Sequence, residues 1–94
     1  MYFVYILRSK KTNRQYVGFA ADPVQRLGQH NSGITKSTKG RGPWAIVYQE
    51  QFATRSDALR RERFLKTGQG REELKRLLTR VESNGNSVSS LSAD

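Results

Sequence analysis

Few residues of this 94-residue chain could do chemistry, and their types narrow that chemistry at once. There is one histidine, His30, and no cysteine, which excludes thiol nucleophiles, thiolate metal sites and disulfides. Neither a glycine-rich phosphate loop nor a local signature of a Ser-His-Asp triad is found. What remains is a set of tyrosines, arginines, the single histidine and a few carboxylates. Such a set suits proton transfer and the gripping of phosphate.

Glu62 is the most informative of them. Ala58, Leu59 and Leu65 define an apolar stripe, and at about 100° per residue Glu62 falls within it. A carboxylate there needs a cation, a metal ion or a hydrogen-bond donor, because leaving it unpaired is costly. Periodicity leaves both a metal ligand and a salt bridge to a nearby arginine open. Arg26 and His30 are spaced i, i+4 on a helix, on the face opposite Val24 and Leu27. One could hold a phosphate oxygen and the other move a proton near neutral pH; the plainer reading is a wet helix face. Tyr5 and Tyr16 sit on two neighbouring predicted strands, and an odd pairing register puts both on one face. On spacing alone two such phenols are core or stacking residues.

Seventeen Lys and Arg against eight Asp and Glu give a formal charge of +9. From Arg8 to Arg41 the bases are Arg8, Lys10, Lys11, Arg14, Arg26, Lys36, Lys39 and Arg41, and the one acid is Asp22. A surface of this kind attracts phosphate polymers by counterion release. The apolar start, Tyr2 to Leu7, is too short to span a membrane and has no basic segment before it. It reads as a strand, and the cytoplasm is the expected location.

The elements that must position these residues follow from pattern. Tyr2–Leu7 is a strand covered on both faces, and Ser9–Asn13 a turn leading to a second strand, Gln15–Phe19. Asp22-Pro23 opens a helix, with Asp22 as N-cap, Pro23 in the first turn and Gln25 at the capping-box position. Val24 and Leu27 supply its buried stripe, and Asn31-Ser32-Gly33 ends it. Ile34–Pro43 is a loop. Trp44–Phe52 is the third strand, with Ala45 and Val47 on one side and Ile46 and Tyr48 on the other. A helix over Ser56–Thr67 is broken by Gly68-Gln69-Gly70, and another over Arg71–Glu82 carries Leu74, Leu77, Leu78 and Val81 on one face. The order β-β-α-β-α-α predicts an α+β domain over residues 1–82, a small three-stranded antiparallel sheet flanked by helices. Residues 83–94 are rich in serine and predict a disordered tail.

Tyr5 within FVYIL, followed by Tyr16-Val17-Gly18, resembles the paired motifs of the GIY-YIG nuclease superfamily, and its small single-domain bacterial members in particular. YVGFAADPVQRLGQHNSG is similar to the second strand and first helix of that family, with Arg26 at the family's arginine. GRGPWAIVY and RSDALRRERFLK resemble its third strand and metal-binding helix, with Glu62 at the glutamate. Phe3 stands where the first motif has Gly, Val4 and Val17 replace isoleucines, and no Asn occurs between Glu62 and Val81, where larger members carry one on a later helix.

The resemblance implies hydrolysis of phosphodiester bonds in DNA with one divalent cation, Mg²⁺ or Mn²⁺, held by Glu62. It implies Tyr5 or Tyr16 as general base, His30 as helper and Arg26 as stabiliser of charge on phosphorus. Lys36, Lys39 and Arg41 are then expected to track the DNA backbone, single-stranded, duplex or branched. No sequence-reading module accompanies the motifs, so the expected enzyme is structure-selective, working in repair or recombination. The alternative is a nucleic-acid-binding module that has lost catalysis or depends on a protein partner.

Overall fold

Strand β1 (Tyr2–Ser9) lies in the middle of a three-stranded antiparallel sheet, between β2 (Gln15–Ala20) and β3 (Trp44–Phe52). Being central, it is covered on both faces, which is why Val4, Tyr5, Ile6 and Leu7 form an unbroken buried run. The computed structural model describes residues 1–36 and 38–84, with the backbone alone for residues 81–84. The elements follow the order β1, β2, α1 (Pro23–Ser32), β3, α2 (Arg55–Leu65) and α3 (Gly68–Asn84), the expected α+β arrangement.

The two sheet faces carry different cores. Val4, Ile6, Val17 and Tyr48 pack with Ala58 and Leu65 of α2 and Leu74 and Leu78 of α3. On the other face Tyr5, Leu7 and Trp44 pack with Tyr16, Ala20, Leu27 and Ile46. The two-residue side-chain period of the strands explains this sorting, except in β3. There the ladder slips between Ile6 and Leu7: Ile6 faces Tyr48 while Leu7 faces Ile46. The bulge leaves Val47 over and sends Ile46 and Tyr48 to opposite cores, so the alternation expected from sequence fails at that point. Trp44 and Tyr48 are both core residues, 4% and 6% exposed.

Ser9 organises the β1–β2 turn. Its hydroxyl accepts from the Lys11 and Thr12 amides and donates to the Arg41 carbonyl at 2.5 Å, tying the hairpin to the loop before β3. Asn13 takes the left-handed conformation, φ 64°, which closes the turn. The Asp22 cap of α1 is as expected, its carboxylate accepting from the Gln25 amide, and Gly33 ends the helix at φ 85°.

The face of α1 differs from expectation. Val24 is 74% exposed, whereas Pro23 and His30 are buried and Arg26 and Leu27 are partly covered. The helix has turned its one imidazole inward, toward Tyr5, and left Val24 in solvent. The junction of the last two helices is also corrected: α2 ends at Leu65, and Gly68-Gln69-Gly70 is the first turn of α3 rather than a break. Gly70 is required there, because a Cβ on it would stand 1.8 Å from the Phe64 carbonyl oxygen. Arg61 of α2 binds Glu50 of β3 through two nitrogens, at 2.8 and 3.0 Å, and also pairs with Glu73 of α3. Helix α3 runs on through Ser83 and Asn84, two residues into the stretch expected to be tail. The side chain of Val81 and the rest of that stretch, 85–94, lie outside the described residues.

Candidate active site

Five side chains from four elements converge beside β2. Tyr5 comes from β1, Tyr16 from β2, Arg26 and His30 from α1, and Glu62 from α2. Tyr5 pairs with Gly18 across the ladder and Leu7 with Tyr16, so the two tyrosines share a face, one step apart diagonally. Gly18 leaves room for this: a Cβ on it would lie 2.7 Å from the Tyr5 hydroxyl and 3.1 Å from Cε2 of Tyr16. The glycine of the second motif is thus the floor on which the first motif's phenol rests.

Tyr5 is 1% exposed and its hydroxyl lies 3.2 Å from Nε2 of His30. The ring of Tyr16, only partly buried, is centred 5.0 Å from the imidazole. His30 is held from behind by Thr38, whose Oγ1 is 2.7 Å from Nδ1. The same hydroxyl lies 3.4 Å from the Thr35 carbonyl oxygen. Both ring nitrogens of His30 are thus engaged, Nδ1 with Thr38 and Nε2 with Tyr5. Burial, helped by the charge of Arg26, lowers the His30 pKa below its ordinary 6.5, which favours the neutral form. Burial, and then the neighbouring Tyr16, pushes the Tyr5 phenol up to about 12, while hydrogen bonding and charge from Arg26 act in the opposite direction. Tyr5 is therefore a neutral phenol poised against a neutral imidazole.

Arg26 also donates to Gln29 Oε1 at 2.5 Å, which braces the guanidinium along α1. Glu62 is near enough for its charge to act on the Tyr5 phenol. Its side chain is 14% exposed and pairs with Lys66, one turn along, at 3.5 Å. Lys66 in turn stands over the Tyr16 ring at 5.8 Å. The neighbouring Arg61 is taken up by Glu50 and Glu73, so it leaves Glu62 to this half-exposed lysine. A long contact of that kind is weak in water, and a cation could replace it.

Among the described residues no group of three or more His, Cys, Asp or Glu side chains is placed to hold a metal ion. One carboxylate with oxygen-bearing neighbours fits Mg²⁺, which keeps several waters and takes substrate phosphate oxygens; it does not suit zinc. Lys36, Lys39 and Arg41 are exposed on the loop that carries Thr38. Asn31 is not part of this group: its carboxamide accepts from the Trp44 amide and donates to the Trp44 carbonyl, fastening α1 to β3. Thr38 was not foreseen, because a loop threonine in a stretch without period carries no signal. Lys66 had one, its i+4 spacing from Glu62.

A three-stranded antiparallel sheet that presents a tyrosine from each hairpin strand to an arginine and a histidine on the next helix, with a glutamate on the one after β3, is the arrangement that the GIY-YIG resemblance implies. The model of that family, described as the GIY-YIG catalytic domain, matches residues 1–75, and the chain belongs to the family. A UPF0213 protein of Staphylococcus haemolyticus is 40% identical over 75 residues, covering 79% of this chain and 90% of the relative. One of Staphylococcus aureus is 43% identical over 67 residues, covering 70% and 80%. The solution NMR structure of a UPF0213 protein from Bacillus halodurans, 34% identical, superposes with a TM-score of 0.50 over 82% of this chain and 85% of that one. The domain is thus of a nuclease type. No helix among the described residues is long and apolar enough to cross a membrane.

Proposed function

We propose that this chain is a divalent-metal-dependent endonuclease that hydrolyses phosphodiester bonds in DNA, selecting its substrate by structure more than by sequence. The observation that carries the reading is the convergence of Tyr5, Tyr16, Arg26, His30 and Glu62, distant in sequence, on one partly open site. Structural stability alone does not call for two phenols, an imidazole and a guanidinium to meet there. A role in repair or recombination is the setting that such an activity fits.

In this reading Tyr16, the tyrosine within reach of solvent, receives the proton of the attacking water. Its own proton moves to Nε2 of His30, whose imidazole lies beside both phenols, as the Tyr5 hydroxyl gives up its hydrogen bond there. Tyr5 and Thr38 hold the His30 ring in place, and Arg26 offsets charge gathering on the phosphate oxygens. The water oxygen forms its bond to phosphorus as the bond to the leaving oxygen breaks. Glu62 is the residue that would hold Mg²⁺, and the ion when bound would supply polarisation of the phosphate and charge neutralisation at the leaving oxygen. Lys36, Lys39 and Arg41 draw the flanking backbone toward the site.

The test is incubation of the pure chain with Mg²⁺ and labelled single-stranded, duplex and branched DNA, alongside Glu62→Gln. The amide keeps the volume and removes the charge, so the variant is expected to fold, to bind DNA as well or better, and to lose at least about a hundredfold in cleavage. Normal cleavage by the variant would remove the metal-site assignment. DNA bound but never cut by the unaltered protein would make the chain a partner-dependent binding module instead.

A further inference from the structure

Tyr16 lines two spaces. One is the site described above; the other is a cleft of about 430 Å³ between β2 and the start of α3. Val17 and Leu74 give this cleft an apolar base, Tyr16 contributes aromatic surface, and Lys66, Arg71 and Lys75 also line it. The three cations are exposed. Lys66 is shared loosely with Glu62 at 3.5 Å and Lys75 reaches Glu72 only at 4.0 Å. Arg71 forms no ion pair with another described residue. Arg71 and Lys75 are one helical turn apart, on the same face of α3.

An apolar and aromatic surface edged by exposed cations is complementary to a flat ring joined to phosphate. A duplex does not offer that combination, because its base faces are covered by stacking; an unpaired nucleotide does. Tyr16 on the edge strand, and Lys66 that contacts both Glu62 and the Tyr16 ring, border the candidate active site and the cleft alike, so a strand lying in the cleft would pass beside the site.

We propose that this cleft takes an unpaired nucleotide of the substrate DNA next to the scissile phosphate. Its base rests against Val17, Leu74 and the Tyr16 ring, and its flanking phosphates meet Lys66, Arg71 and Lys75. The proposal rests on the reading of the chain as a DNA nuclease and names its substrate class: DNA with a single-stranded segment at an end or junction.

Binding in EDTA separates the two ideas, since no cleavage is needed. The full chain is titrated, by fluorescence anisotropy at one salt concentration, into labelled oligothymidylate and into a hairpin duplex of equal nucleotide count. It is compared with the double variant Arg71→Gln, Lys75→Gln. Oligothymidylate affinity is expected to fall about tenfold, and the single-strand to duplex affinity ratio about fivefold or more. Equal losses on both DNAs, or an unchanged ratio, would mean general electrostatic attraction and would overturn the cleft. Should that variant melt early, the single variant Arg71→Gln, read by the same ratio, decides. A shifted ratio in a protein that never cuts DNA with Mg²⁺ upholds the cleft and sinks the nuclease reading. Cleavage with an unchanged ratio does the reverse.

Discussion

Tyr5 and Tyr16 share a residue type and a sheet face, yet the fold treats them differently. Tyr5 is enclosed and hydrogen-bonded to His30; Tyr16 is partly open and borders a cleft. Tyr5→Phe and Tyr16→Phe both keep the ring, so each is expected to fold with a loss of about 1 kcal/mol or less. In Mg²⁺-dependent cleavage Tyr16→Phe is expected to lose about a hundredfold or more, and Tyr5→Phe less. Full activity in both would leave His30 as the candidate base. Protonation adds a stability test. The folded His30 takes its proton at a lower pH than the ordinary 6.5, so in the window below 6.5 the unfolded chain binds more protons and stability falls on acidification. Tyr5 has the opposite sign: from 10 to about 12 the folded chain keeps a proton that the unfolded chain releases, and stability falls as pH rises. Urea midpoints of the unaltered protein and His30→Gln, measured from about pH 5 to 7, check the first effect. An identical slope in the two proteins across that range would show that the slope belongs to other groups.

At the scale of elements, the site depends on where α2 presents Glu62 and Lys66, and that is set by the α2–α3 junction. Gly70 lies against the backbone of Phe64 and Leu65, while nothing lies within 4 Å of a Cβ built on Gly68. Gly70→Ala therefore forces the two helices apart and is expected to cost about 3 kcal/mol in urea unfolding. Gly68→Ala, in the same turn, should change stability by no more than about 1 kcal/mol. Equal effects from the two would mean that α3 can reseat without loss. The Arg61 contacts with Glu50 and Glu73 hold the other flank of the same helix, with all three side chains between 20% and 30% exposed. Their orientation is what frees Glu62 from a structural arginine.

For the whole molecule the decisive quantity is charge. With a formal +9 spread over 94 residues, encounter with DNA is driven by release of its counterions. The logarithm of the binding constant is expected to fall linearly with the logarithm of salt concentration, with a slope of about the number of phosphates contacted. Replacing Lys36, Lys39 and Arg41 together by Ala should make that slope shallower and weaken binding to all sequences alike. An affinity independent of salt would remove the electrostatic picture of DNA attraction.

What the sequence determined by itself was whatever depends on near neighbours in the chain. Asp22, Pro23 and Gln25 specify the start of α1 within four residues, Gly33 specifies its end, and the apolar run of β1 marks a central strand. The paired tyrosine motifs, with Arg26 and Glu62 at their distances, were also legible, because a shared register puts Tyr5 and Tyr16 on one face. The tertiary structure alone decided the rest. His30 turned inward because its partners are Tyr5, 25 residues earlier, and Thr38 in a patternless loop; a helix viewed alone ranks Val24 as the buried side. The slip at Val47 swapped the faces of β3, and Gly70 became a packing contact instead of a break. Each of these turns on a contact between segments whose distance and angle exist only once the sheet has closed, and no periodicity along the chain encodes them.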